Sequence, residues 1–172
     1  IARPFTGKNG RFIRTTRRKD YALNPPRNVL DVLYENEIQT ICIGKIGDMF
    51  NNKSITHSIK TKDNIDTMLK VVDFAKGDFK GLVFANFNDF DSSYGHRRDK
   101  EGFLKALEEF NYYLPILLKK LKKDDLLIIK SIVRLGRNYE MIINEWTEIT
   151  KVIEADIYVI DFPLLDTRIE ER

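Results

Sequence analysis

Hydrophobic and polar positions along this chain fall into short blocks that alternate between two periods. Val29, Leu30, Val32 and Leu33 recur at helical spacing, and a β-rich apolar run over residues 38–43 follows, closed by Gly44. Ile65, Met68, Leu69, Val72 and Ala75 mark a second helix that Gly77 ends. Residues 82–87 form another short apolar run with strand character. Phe103, Ala106, Leu107, Phe110 and Leu114 then line one side of a long helix, which Pro115 is expected to kink or split. Residues 126–129 predict a third strand, 139–152 a fourth helix and 156–160 a fourth strand. Ahead of all of these, Asn24-Pro25-Pro26 is a stop signal, because proline and the residue before it resist helix.

The predicted strands are apolar without alternation, which is the pattern of a parallel sheet covered on both faces. The fold class expected is therefore α/β, a mostly parallel sheet flanked by helices, and one sheet is expected to run through to the last strand. Ligands of such sheets sit beyond the carboxyl ends of the strands. The residues there are Gly44-Lys45, Asn88-Asp89-Phe90-Asp91, Lys130-Ser131 and Asp161-Phe162-Pro163. No internal repeat or low-complexity tract interrupts the pattern.

Composition narrows the class. The 172 residues suit one ordinary domain or two small ones and bury about 70% of the unfolded surface. With 42% apolar and 11% aromatic residues, the chain is neither collagen-like, nor disulfide-stapled, nor wholly disordered. A single cysteine, Cys42, has no internal partner for a bridge and points to a reducing cytoplasm. No apolar run reaches membrane-spanning length, and no charged-then-apolar leader opens the chain, so neither membrane nor export is expected. Ile1 rather than Met stands first, which implies an upstream part. Oligomeric state is left open.

Charge is unevenly spread. The net charge of +3 divides into +6 over residues 1–20 and −3 over the rest. Arg3, Lys8, Arg11, Arg14, Arg17, Arg18 and Lys19 stand against the single acid Asp20, with Phe5 and Phe12 interleaved. Three readings fit: a grip on nucleic acid or a membrane surface, a solvated segment, or arginines meeting a small phosphorylated ligand. The lysines of 119–123 read as the solvated end of a helix, where cations suit the dipole.

Candidate chemistry concentrates in residues 88–99, where two carboxylates and an imidazole follow a buried strand directly. Carboxylate oxygen with imidazole nitrogen suits Mn²⁺, Fe²⁺ or Zn²⁺. Gly95 is expected to let the loop turn back, so that His96 meets an aspartate on one ion. The alternative is an aspartate cap followed by a surface histidine. Asp99, just ahead of the long helix, reads as an N-cap.

Across residues 1–129 the chain resembles the C-terminal portion of the phosphopentomutase family, metal-dependent enzymes of the alkaline phosphatase superfamily. Ile1-Ala2-Arg3-Pro4-Phe5, Arg14-Thr15, Asp20-Tyr21-Ala22-Leu23 and Ile43-Gly44-Lys45-Ile46 carry the likeness. So do Asp89-Phe90-Asp91, Tyr94-Gly95-His96-Arg97-Arg98-Asp99 and Lys105-Ala106-Leu107-Glu108-Glu109-Phe110. The resemblance implies two Mn²⁺ ions and transfer of phosphate between the 1- and 5-positions of ribose or deoxyribose. It implies Asp91 and His96 as ligands of one ion, Asp89 as an orienting partner, and Arg14 and Lys45 as holders of the sugar phosphate. It also implies that residues 1–22 are the remnant of a cap domain and 23–129 a core fragment. The family's nucleophilic threonine and first metal aspartate fall upstream of these motifs. Its Ala-Asp-His-Gly segment is Lys130-Ser131-Ile132-Val133 here. The chain alone is therefore expected to lack mutase activity.

Residues 121–168 resemble the catalytic domain of serine recombinases of the resolvase–invertase type. The likeness lies in Asp124-Asp125-Leu126-Leu127-Ile128-Ile129-Lys130-Ser131-Ile132, Arg134-Leu135-Gly136-Arg137-Asn138-Tyr139 and Ala155-Asp156-Ile157-Tyr158-Val159-Ile160-Asp161. It implies Arg134 and Arg137 as contacts to a DNA phosphate, the alternative being two surface arginines. Residues 130–172 then form a recombinase-like βαβ fragment, without that family's nucleophilic serine or DNA-binding helices. The two resemblances meet near residues 121–130, so the chain reads as a chimera.

Overall fold

The computed structural model describes residues 2–17, 19, 21–136 and 138–168. Two compact units divide the chain: Ile1–Val71 with Phe79–Leu107, and Val72–Asp78 with Glu108–Arg172.

In the first unit a basic hairpin leads. Strands β1 (Phe5–Lys8) and β2 (Arg11–Arg14) pair antiparallel, with Phe5 opposite Arg14 and Lys8 opposite Arg11. Asn9 and Gly10 join them, both at positive φ, as a tight two-residue hairpin turn requires. The rings of Phe5 and Phe12 meet edge to face at 5.2 Å. The arm foreseen only as a charged segment is thus a defined ribbon.

Helix α1 (Val29–Glu35) starts at a capping box. The Asn28 side chain accepts from the Leu30 N–H, and the Asp31 carboxylate accepts from the Asn28 N–H at 3.0 Å. Asp31 also accepts from the Ser54 hydroxyl at 2.5 Å and pairs with Lys53 at 3.1 Å, all while nearly buried. These bonds hold its pKa below the ordinary aspartate range, with the Ser54 hydroxyl the largest cause and the Asn28 amide next.

Strand β3 (Gln39–Ile43) is central in a parallel sheet of order β4-β3-β5, with β4 (His57–Ile59) and β5 (Gly81–Ala85) on either side. Short helix α2 (Ile46–Met49) and long helix α3 (Asn64–Lys76) follow β3 and β4. Thr40, Ile41, Cys42 and Ile43 are buried, and Leu30, Ile46 and Met68 belong to the same core. Buried Thr40 loses nothing by its burial. Its hydroxyl donates to the Ser54 carbonyl, and its N–H donates to the Thr56 hydroxyl. Burial pushes the Cys42 thiol up, away from reactive thiolate character.

In the second unit β6 (Leu126–Ile129) pairs parallel with β7 (Asp156–Val159). Helix α5 (Tyr139–Thr147), extended by a π-helical turn over Glu148–Val152, provides the crossover. Ile149, Ala155, Ile157 and Val159 form the core, with Leu127, Ile129 and Trp146 packed against it. Leu126 and Ile128 remain exposed, so β6 is covered on one face and not two.

The α/β class expected from the pattern is what the chain adopts, with parallel strands flanked by helices. Three details depart from it. The parallel strands form two sheets, since β6 pairs with β7 and with no other strand among the described residues. Pro115 neither ends nor splits helix α4 (Lys100–Leu118). It sits in the last turn, where the one intrahelical bond it removes leaves the exposed Asn111 carbonyl to water. The lysines of 119–123 lie past α4, and Lys122 and Lys123 are engaged rather than merely solvated. Lys122 donates to the carbonyls of Lys76 and Gly77 and pairs with Asp78, capping the end of α3, while Lys123 meets Glu154 at 2.8 Å.

The Asp31 cluster sets an acid sensitivity. A carboxylate whose folded pKa is depressed contributes stability above its unfolded pKa of about 3.9 and loses it as pH falls through the folded value. Asp31→Asn is therefore expected to unfold more readily than the wild type at neutral pH. Urea titrations at successive pH values should show the gap shrinking once pH drops below about 4. A gap constant down to strongly acid pH would rule out the cluster as its source.

Candidate functional site

The carboxyl ends of β3, β4 and β5 open onto a polar cavity of about 370 Å³. Its walls include Gly44 and Lys45 after β3, Lys60 to Asn64 after β4, and Asn88, Asp89, Ser92 and Ser93 after β5. This is the edge at which a parallel sheet is expected to offer a ligand site. Lys45, Lys60 and Lys62 give it positive charge. Asp48, across from Lys60 at 3.3 Å, answers part of that charge.

One reciprocal pair of hydrogen bonds holds the cavity's far wall. The Asn64 N–H donates to Asp89 Oδ2 at 2.8 Å, and the Asp89 N–H donates to Asn64 Oδ1 at 3.0 Å. The remaining Asp89 oxygen accepts from the Ser93 hydroxyl at 2.9 Å. Asp89 thus fastens the start of α3 to the loop after β5, with both carboxylate oxygens engaged by protein donors. The Asp99 carboxylate accepts from the Gly102 N–H and caps α4, as foreseen.

Between these anchors residues Phe90–Gly95 form a π-helical turn. The His96 N–H donates to the Asp91 carbonyl five residues back, at 2.9 Å. This wide turn stacks two residues that an α-helix would splay apart. His96 Nε2 lies 3.3 Å from Asp91 Oδ2, both side chains being exposed. Gly95 acts here differently from the expectation. Its φ is not in the left-handed region; what matters is the missing side chain, since a Cβ would stand 2.8 Å from the Phe90 carbonyl oxygen. The Phe90 ring packs on Phe103 of α4 at 5.4 Å and anchors the turn.

The structure therefore brings Asp91 and His96 together and sets Lys45 in the neighbouring cavity, which neither Asp91 nor His96 lines. Arg14 is exposed at the end of β2 and does not line the cavity either. Arg134 is exposed on the short turn Ile132–Arg134 after β6, and Arg137 lies outside the described residues. Lys60, Lys62 and Asn64 went unread in the sequence. They follow β4, a three-residue strand without an apolar run, and only the Asp63-Asn64 cap ahead of α3 marks the place.

The donor chemistry of Asp91 and His96 fits a borderline divalent cation. Two donors fall short of the three or four protein ligands that hold such an ion firmly. Among the described residues no group of three His, Cys, Asp or Glu side chains stands close enough to hold one.

The model of the metalloenzyme superfamily matches residues 12–131, and it stops short of Arg134. A phosphopentomutase of Clostridioides difficile (strain 630) is 49% identical over 133 residues, which is 76% of this chain and 34% of that protein. The chain thus spans about a third of the length of the curated relative it matches.

The hydrogen bonds rank these carboxylates by their structural weight. Asp89→Ala strips acceptors from the Asn64 amide and the Ser93 hydroxyl, and a loss of about 2 kcal/mol in urea denaturation is expected. Asp91→Ala, whose exposed carboxylate faces only the equally exposed His96, should stay within about 0.5 kcal/mol of the wild type. Equal losses for the two variants would overturn the assignment of Asp89 as the fastening group.

Proposed function

The chain belongs to the metalloenzyme superfamily, and on that premise we propose that it is phosphopentomutase-like. Its chemistry is the part of a metal-assisted transfer of phosphate between the 1- and 5-positions of ribose or deoxyribose that this third of the protein holds. The observation that carries the reading is the Asp91–His96 pair, stacked by the π-helical turn at the carboxyl edge of the sheet.

In this reading Asp91 and His96 hold one side of a Mn²⁺ ion. A divalent ion bound there supplies Lewis-acid stabilisation to a phosphoryl oxygen. The chain's own residues do the rest by position and charge. Asp89 keeps the turn in place while its oxygens are occupied by Asn64 and Ser93, which leaves Asp91 as the carboxylate presented outward. Lys45, just past β3, brings an ammonium group to the cavity wall, where it attracts the dianionic phosphate of the sugar. Arg14 offers a guanidinium suited to bidentate contact with the same kind of group. Neither residue is a nucleophile. What these residues supply in this reading is the binding of the ion and of the sugar phosphate.

Among the described residues no helix is long and apolar enough to cross a membrane. The buried lone thiol of Cys42 suits a reducing compartment, and we place the protein in the cytoplasm. A DNA-binding role for Arg134 and Arg137 rests on the sequence resemblance alone and is not carried further.

Titration calorimetry tests the site in two arms. Mn²⁺ should give a weak exothermic or endothermic signal with the wild type that Asp91→Ala abolishes. Ribose 5-phosphate should bind the wild type and lose roughly tenfold or more in affinity in Lys45→Ala, the scale of one charge-assisted hydrogen bond. Identical heats for wild type and Asp91→Ala would remove the metal site. Unchanged sugar-phosphate binding in Lys45→Ala would remove the phosphate site.

A further inference from the structure

Two lysines of the polar cavity have no carboxylate to answer them. Lys60 faces Asp48 at 3.3 Å, but among the described residues no acid pairs with Lys45 or Lys62, which line the same cavity from the loops after β3 and β4. The other acids of the wall are engaged elsewhere. Asp63 accepts from the Asp66 N–H at 2.8 Å, and Asp89 accepts from the Asn64 N–H and the Ser93 hydroxyl. The loop that carries Lys62 is fastened to the first turn of α3. The Lys62 N–H donates to Asp66 Oδ2 at 3.0 Å. The hydroxyl of buried Thr67 donates to the Asp63 carbonyl at 2.9 Å and meets the Thr61 hydroxyl at 2.7 Å. The backbone under Lys62 is therefore set before any ligand arrives, which lowers the ordering cost of binding.

We propose that Lys62 is a second phosphate-binding residue, meeting the sugar phosphate from the β4 side of the cavity as Lys45 meets it from the β3 side. The inference rests on the reading that this cavity takes a sugar phosphate, and it adds what the cavity selects. Two ammonium groups without an internal counter-ion favour a ligand that carries two negative charges in one group, which is a phosphate monoester, over a neutral sugar. The Asp48–Lys60 pair has the opposite character. It is neutral as a unit, and it offers an acceptor and a donor that suit hydroxyl groups. The wall is thus divided, with net charge at Lys45 and Lys62 and balanced polarity at Asp48 and Lys60.

Titration calorimetry of the full chain with ribose 5-phosphate and, separately, with inorganic phosphate tests the assignment. Lys62→Gln keeps the backbone bond to Asp66, so the fold should stand, and circular dichroism checks this. Its affinity for both ligands should fall roughly fivefold, the scale of an ammonium contact partly screened by water. That affinity should also vary less with salt than the wild type's, a change that a purely structural role would not produce. Lys62→Arg should retain most of the binding. The charge-neutral double variant Asp48→Asn with Lys60→Gln should stay within about twofold of the wild type. Wild-type affinity in Lys62→Gln beside weakened binding in Lys45→Ala overturns the role of Lys62 alone. Equal losses in Lys62→Gln and the double variant overturn it too, because any polar residue of the wall would then serve. No binding by the wild type, or equal binding by the wild type, Lys45→Ala and Lys62→Gln, overturns the sugar-phosphate reading together with it.

Discussion

A parallel strand is stable when both its edges are hydrogen-bonded and both its faces are dry, and among the described residues β3 is the strand that meets both conditions. Thr40 to Ile43 are buried, β4 and β5 flank them, and the buried threonine hydroxyl is satisfied by the Ser54 carbonyl. The site depends on this strand in a direct way. Its end delivers Lys45, and its two neighbours end where Lys60 and the 88–96 loop begin. The wall between those neighbours is then set by the Asn64–Asp89 pair, which joins residues 25 apart in sequence at one edge of the sheet. The second unit has no such strand. With β6 bonded on one side only, its sheet keeps an apolar border that the first unit's central strand does not have.

Most of the regular elements were legible because their apolar residues follow one period at a time. The helical spacing of Ile65, Met68 and Val72 and the unalternated run at β3 needed no tertiary information. Two elements escaped for physical reasons. Strand β4 is His-Ser-Ile, mostly exposed, and owes its form to pairing with β3 and not to its own side chains. The hairpin's signal is turn chemistry and not a hydrophobic period: Asn9-Gly10 stands between Phe-Thr-Gly-Lys and Arg-Phe-Ile-Arg, in a segment dominated by charge. Pro115 does not split its helix, for a reason of position. A proline costs a helix most when it stands mid-span, and near the last turn an exposed carbonyl simply turns to water.

At the site, residue types were readable and their partners were not. Two carboxylates and an imidazole after a strand invite a metal reading, but spacing alone does not say which carboxylate faces outward. That distinction comes from Asn64, too far along the chain for any local pattern to reveal. The π-helical turn is equally silent in sequence: it differs from an α-helical turn by one residue of hydrogen-bond register, yet that residue is what sets His96 beside Asp91. At Gly95 close approach to the Phe90 carbonyl, and not a left-handed backbone, calls for glycine.

The two neighbours of β3 are recruited across very different lengths of chain. From Ile41 to its partner His57 is 16 residues, whereas from Gln39 to its partner Gly81 is 42. Each doubling of a closed loop costs about 0.6 kcal/mol of chain entropy, so bringing in β5 costs about 0.8 kcal/mol more than bringing in β4. The ladder lengths run the same way: three residue pairs join β3 to β4, and five join it to β5. The more distant strand makes the longer ladder, and the loop that bears Asp91 and His96 is tethered to that ladder's end.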